Sequence, residues 1–149
     1  VTEPLGPGES APEIPGADLD DPTLLFFYKV TCPVCQLAAP VAQQLQDAYP
    51  GRVVGVGQDP APELAAFASR HGMTIPTVQD EPPYELSEAY GCRVVPTLFL
   101  VDGGIVQDVA ESWDRDGYNR LSHGLAELIG ADASTVSTPG DGLPSFRPG

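Results

Sequence analysis

Cations are scarce in this chain. Among 149 residues there are 7 Lys plus Arg against 21 Asp plus Glu, a formal net charge of −14. A protein that tracks nucleic-acid phosphates needs a basic face, so this balance argues against nucleic-acid binding. It also disfavours docking on anionic membranes. Long apolar runs are missing too. None approaches the ~20 residues of a bilayer span, so no membrane insertion is expected. Cysteine is rare, at 3 residues. A disulfide framework wants a larger, even number, which leaves redox chemistry rather than stapling. The opening Val1-Thr-Glu-Pro lacks the basic and apolar regions of a secretory leader. A cytoplasmic location is expected, with an exported form whose leader is already removed left open.

What the chain does contain suffices for one core. Hydrophobic residues make up 42%, and the length matches one domain of roughly 150 residues. The flanks differ from the middle. Residues 1–22 are rich in Pro, Gly and acids, which predicts a mobile N-terminal arm. Residues 131–149 read as a disordered C-terminal tail with Phe146 as the one aromatic. The domain is expected over 23–130.

Strand and helix patterns alternate in that middle. Leu24–Tyr28 is a continuous apolar run, a strand buried on both faces. Leu37, Val41, Leu45 and Ala48 mark one helix face, stopped at Pro50-Gly51. Val53–Gly57 is a second buried strand. Asp59 is expected to cap a helix over about 62–70 that ends at Gly72. A short strand over Ile75–Gln79 and a short helix over 83–90 follow. Thr97–Val101 is a strand, and Asp102-Gly103-Gly104 turns it into Ile105–Val109. Trp113 marks the start of a last helix, with Tyr118, Leu121, Leu125 and Leu128 on one face and Gly130 as its stop. The fold class is α/β, a central mixed β-sheet flanked by helices.

Cys32-Pro33-Val34-Cys35 follows the first strand directly and opens the first helix. A helix N-terminus presents unpaired N–H groups and the positive end of the dipole, which favours an anion. The thiolate is the reactive form of cysteine, and such positions lower thiol pKa values to roughly 3.5–7.5. Cys35, one turn on, is placed to close a disulfide with Cys32 and release a bound partner. Pro33 falls in the first turn, where its missing N–H costs little. Pro33 and Val34 are expected to influence the redox potential and to face substrate. The competing reading is a metal-holding module. Zinc wants four ligands, and beyond the pair only Cys92, His71 and His123 are spare. His71 and His123 read as solvated helix residues, and Cys92 as a small buried hydrophobe or a third redox thiol.

These residues resemble the thioredoxin superfamily, and the resemblance covers about residues 22–130. The strand leads into Cys32-Pro-Val-Cys35. Pro40 lies five residues on, like the proline in the active-site helix of that superfamily. Tyr90-Gly-Cys-Arg-Val-Val-Pro96-Thr97 is similar to the segment that holds its cis-proline. An extra strand–helix block between Cys35 and Pro96, from Val53 to Asp80, is similar to the TlpA-like and peroxiredoxin-like (AhpC/TSA) branch. The resemblance implies a thioredoxin-like fold with that insertion before a cis Val95–Pro96 bond. It implies that Pro96 faces the cysteine pair and that the Val95 backbone pairs with an extended substrate.

The function it implies is thiol–disulfide exchange by a monomer without bound cofactor. Partners would be protein or small-molecule disulfides and thiols, with an electron-donating dithiol protein. A peroxiredoxin-like thiol peroxidase is the alternative. Three departures stand out. Thr31, at the substrate-facing position before Cys32, replaces the Trp of many relatives. Phe26 stands where thioredoxin buries an acidic residue, and position 38, three after Cys35, is Ala, so no local proton acceptor for Cys35 is evident. Peroxiredoxins place Thr or Ser three residues before their reactive cysteine, not next to it. Lys29, the one lysine, and Arg93 lie three residues before Cys32 and Pro96. They are candidates to stabilise the Cys32 thiolate by charge.

Overall fold

The computed structural model describes residues 3–149. Its elements run β1 (Thr23–Tyr28), α1 (Pro33–Ala48), β2 (Val53–Gly57), α2 (Ala61–His71), β3 (Thr77–Gln79), α3 (Glu85–Ala89), β4 (Thr97–Asp102), β5 (Ile105–Glu111), β6 (Trp113–Asp114), α4 (Arg115–Ile129) and β7 (Phe146–Arg147). Five strands form a mixed sheet in the order β3-β2-β1-β4-β5. β1 pairs in parallel with β2 and antiparallel with β4, so β1 is central. Among the described residues no helix is long and apolar enough to cross a membrane.

The two-residue period of the central strands divides the core. Leu24, Phe26 and Tyr28 of β1 and Leu98 and Leu100 of β4 face one cluster, built with α1, α2 and α4. Leu25, Phe27, Phe99 and Val101 face a second cluster. The three long helices all pack on the first face. The second face therefore needs a different cover.

That cover is the N-terminal segment. Ile14 and Leu19 are buried in the second cluster, with Leu5, Ala11 and Ala17 packed against it. Backbone hydrogen bonds tie the segment down: Leu5 N–H to Tyr90 O at 3.0 Å, Gly8 N–H to Val106 O at 2.9 Å and Ala11 N–H to Gly104 O at 2.8 Å. Gly91 has φ +68°, and a Cβ there would collide with the Glu3 carbonyl. The expectation of a mobile arm over 1–22 is thus corrected for residues 3–22; residues 1 and 2 lie outside the described part. A few well-placed apolar residues suffice, beside Leu86 and Tyr90, to cover that sheet face.

The disordered tail is corrected as well, because polar groups hold it. The buried Arg115 guanidinium donates from Nε to Ser137 Oγ at 3.0 Å and from Nη2 to Leu143 O at 2.8 Å. The Asn119 carboxamide accepts from Val136 N–H and donates to Ser137 O. Val136 itself is buried, and Phe146–Arg147 pairs antiparallel with Trp113–Asp114. Phe146 nonetheless keeps its ring exposed.

Smaller differences are local. Asp59 does not cap α2; Pro60 holds that position without a side-chain bond. Ala48 is exposed, and Leu128 is 41% exposed while its neighbour Ile129 packs against the core. Trp113 is fully buried in β6, two residues before α4 begins, and its ring stands against Tyr118.

Candidate active site

Cys32 is the N-cap of α1, with φ −83° and ψ 117°, and Pro33 takes the first helical position. The Cys35 backbone N–H donates to Cys32 Sγ at 3.2 Å, so the sulfur performs the usual capping role of a hydroxyl. The Cys32 thiol in turn donates to Val95 O at 3.5 Å. Cys32 is half-buried and Thr31 and Pro33 beside it are exposed, while Val34 and Cys35 are buried. Both cysteines are in the free thiol form.

Cys35 Sγ is fully buried and accepts the Lys29 backbone N–H at 3.5 Å. Burial pushes the Cys35 thiol well above the ordinary range, and the Lys29 N–H only partly opposes this. Smaller contributions from Cys32 and from the Asp59 carboxylate act in the same upward direction.

The Val95–Pro96 bond is cis, and Pro96 is buried. Pro96 O accepts the Ser112 N–H at 2.8 Å, and Thr97 Oγ1 donates to Val94 O at 2.8 Å. A second cis bond, Pro82–Pro83, has no counterpart in the sequence reading. Cys32, Cys35 and the Val95–Pro96 segment therefore come together.

The candidate charges are placed differently. Arg93 makes two 2.9 Å bonds to the Glu111 carboxylate. Lys29 meets the cysteine pair through its backbone N–H. Cys92 packs into the second cluster, across the sheet from Cys32 and Cys35, which pack into the first. Burial, helped by Asp80 and Glu111, raises its thiol pKa. The His71 ring lies tilted against Phe67 at 4.4 Å, and His123 is exposed beside Thr135. Among the described residues no group of three or more His, Cys, Asp or Glu is arranged to hold a metal ion.

Several site features were not legible in the sequence. Asp59 Oδ2 accepts the Val30 N–H at 2.8 Å and so pins the loop that leads to Cys32. The Tyr118 hydroxyl is buried with no hydrogen-bond partner, close enough to Cys35 to feel its charge. A groove of about 380 Å³ beside Thr31 is lined by Val30, Gln36, Glu63, Ala66, Phe67 and Arg70. Of these only Asp59 carried a signal, a lone acid at the end of a strand next to a proline, and it pointed to a helix cap instead.

A helix-capping thiol with a buried thiol one turn behind it, beside a cis-proline loop, defines a dithiol centre on a thioredoxin-like fold. The model of the AhpC/TSA family matches residues 8–109, and the chain belongs to that family. A structure from Chlorobium tepidum, assigned as a thiol:disulfide interchange protein DsbE, is similar at TM-score 0.73 with 22% identity, covering 84% of this chain and 99% of that one. The structure of MTB dsbF is similar at TM-score 0.61 with 28% identity, over 71% of this chain and 81% of that one. Thioredoxin 1 of Nostoc sp. is 29% identical over 89 residues, which is 58% of this chain. The match spans 63% of the length of that thioredoxin.

Proposed function

We propose that this protein is a thiol–disulfide oxidoreductase in which Cys32 attacks and Cys35 resolves. The observation that carries the reading is the 3.2 Å contact of the Cys35 N–H with a half-exposed Cys32 sulfur, above a buried Cys35. The Cys32 thiolate attacks one sulfur of a partner disulfide. An S–S bond forms between Cys32 and that partner, and the other partner sulfur leaves as a thiolate. The Cys35 thiolate then attacks Cys32 Sγ, closes the Cys32–Cys35 disulfide and expels the remaining partner thiolate. The two leaving thiolates take up the two protons that the cysteine pair gives up. An external dithiol restores the reduced pair by the reverse steps.

Protein thiols and disulfides are the proposed substrates. Thr31, Pro33 and Val95 would form the contact surface; Val34, expected from the sequence to face substrate, is instead buried in the first cluster. The test is stopped-flow oxidation of the fully reduced protein, by a model protein disulfide and separately by hydrogen peroxide. Fast disulfide exchange beside slow peroxide reaction is expected. Fast peroxide consumption lost in Cys32→Ser would replace the reading with a peroxidase, and two slow reactions would sink both.

A further inference from the structure

Residues 143–149 do not end their course at the domain edge; they run to the attacking sulfur's own hydrogen-bond acceptor. The segment is rooted by Trp113 Nε1–H to Pro144 O at 2.6 Å and by Arg115 N–H to Ser145 O at 3.0 Å. Strand β7 continues it along β6. At its far end the Gly149 N–H donates to Ser112 Oγ at 3.0 Å. Gly149 then lies directly on the Val95 carbonyl. A Cβ added there would collide with Val95 O and stand 2.9 Å from its carbon, so only glycine fits. That same oxygen accepts from Cys32 Sγ.

Ser112 joins the two halves of this arrangement. Its N–H donates to Pro96 O at 2.8 Å while its hydroxyl accepts from Gly149. It holds φ +67°, a left-handed conformation unusual for a non-glycine residue, and it is buried. One serine thus fixes both the Val95–Pro96 loop and the segment that covers it. Thr31 and Pro33, which flank Cys32 in the chain, are exposed, and a groove lies beside Thr31.

We propose that residues 146–149 form a strap, held by Ser112, that closes the Val95 side of Cys32 and makes Ser112 and Gly149 specificity-determining residues. Disulfides enter from the Thr31 side. Compact disulfides reach the sulfur, whereas an extended chain that must lie along Val95–Pro96 is refused until the strap lifts. The inference rests on Cys32 being the attacking thiol of the proposed reaction.

The experiment compares two mixed disulfides with the same 2-pyridyl leaving group, one of cysteamine and one of an extended cysteine-containing peptide. Both are reacted with a Cys35→Ser, Cys92→Ser background. The Cys32 thiolate attacks the non-pyridyl sulfur, and the released pyridine-2-thione gives the rate. Ser112→Gly keeps the backbone conformation and removes the acceptor; Gly149→Val drives the strap off Val95. Each is expected to raise the peptide rate about tenfold, the factor set by one lost hydrogen bond, with the cysteamine rate within about twofold. Equal changes with both reagents, or none, would overturn the strap. Should Ser112→Gly not fold, Gly149→Val at an exposed position carries the comparison alone. The rate ratio reads the strap whatever happens later. Failure of the unmodified Cys32–Cys35 pair to become oxidised would instead sink the oxidoreductase reading.

Discussion

The backbone N–H of Cys35 caps the sulfur of Cys32 at 3.2 Å, while the side chain of Cys35 points into the core. One residue therefore serves the pair twice, by its amide toward the first thiol and by its own sulfur behind it. The two thiols consequently sit in opposite environments, one at a polar helix end and one in a desolvated interior.

The first prediction follows from that asymmetry. Cys32→Ser reduces disulfide exchange to the uncatalysed background. Cys35→Ser leaves the first attack and stalls at a partner–Cys32 mixed disulfide. Mass spectrometry of the trapped adduct checks it, and efficient turnover by Cys35→Ser would contradict the assigned order.

A second prediction concerns alkaline pH. Folding raises the Cys35 thiol above its ordinary value of 9.0 through burial. The folded state therefore holds this proton to higher pH than the unfolded state does. Its stabilising contribution is complete below about pH 9 and is lost as pH rises toward the folded pKa, at up to about 1.4 kcal/mol per pH unit. Denaturant melts of the reduced protein across pH 7–10 should show a decline that is smaller in Cys35→Ala. Cys92 and Tyr90 shift in the same direction, so the difference between the two proteins is the informative quantity.

Tyr118 supplies a third. Its hydroxyl is buried with no hydrogen-bond partner. An unsatisfied buried polar group costs about 1–3 kcal/mol. Tyr118→Phe removes that group and keeps the ring against Trp113, so stability should hold or rise by about 1 kcal/mol. A clear loss in a urea melt would show that the hydroxyl has a partner.

The fourth concerns the N-terminal cover. Ile14 is 2% exposed in the second cluster. Ile14→Ala should cost about 2–5 kcal/mol, as for other large-to-small core changes. An unchanged melting curve would mean that the segment contributes nothing to the fold.

Local pattern placed the elements around Cys32 and Cys35. The apolar run before Cys32 and the hairpin at Gly103-Gly104 depend on neighbours in the chain and match the structure closely, while the helix period after Cys32 holds at Val41 and Leu45 and fails at Ala48. The terminal segments do not work that way. β1 buried on both faces already implied a cover on each side, but nothing near Ile14 or Leu19 says which face they meet. At the other end the anchors are Arg115, Asn119 and Ser137, polar residues whose pairing composition cannot announce. Asp59 shows the same limit in miniature. A cap and a loop pin both need a carboxylate before a helix, and only the position of Val30 decides between them.

Trp113 has an optical consequence. It is the chain's one tryptophan, and its indole N–H is bound to Pro144, at the root of the segment that reaches Val95. Its fluorescence is thus a built-in reporter of that root. Hydration of the indole on detachment would shift the emission to the red without any added label. Emission followed during partner binding would then separate partners that pass beside the segment from those that peel it away.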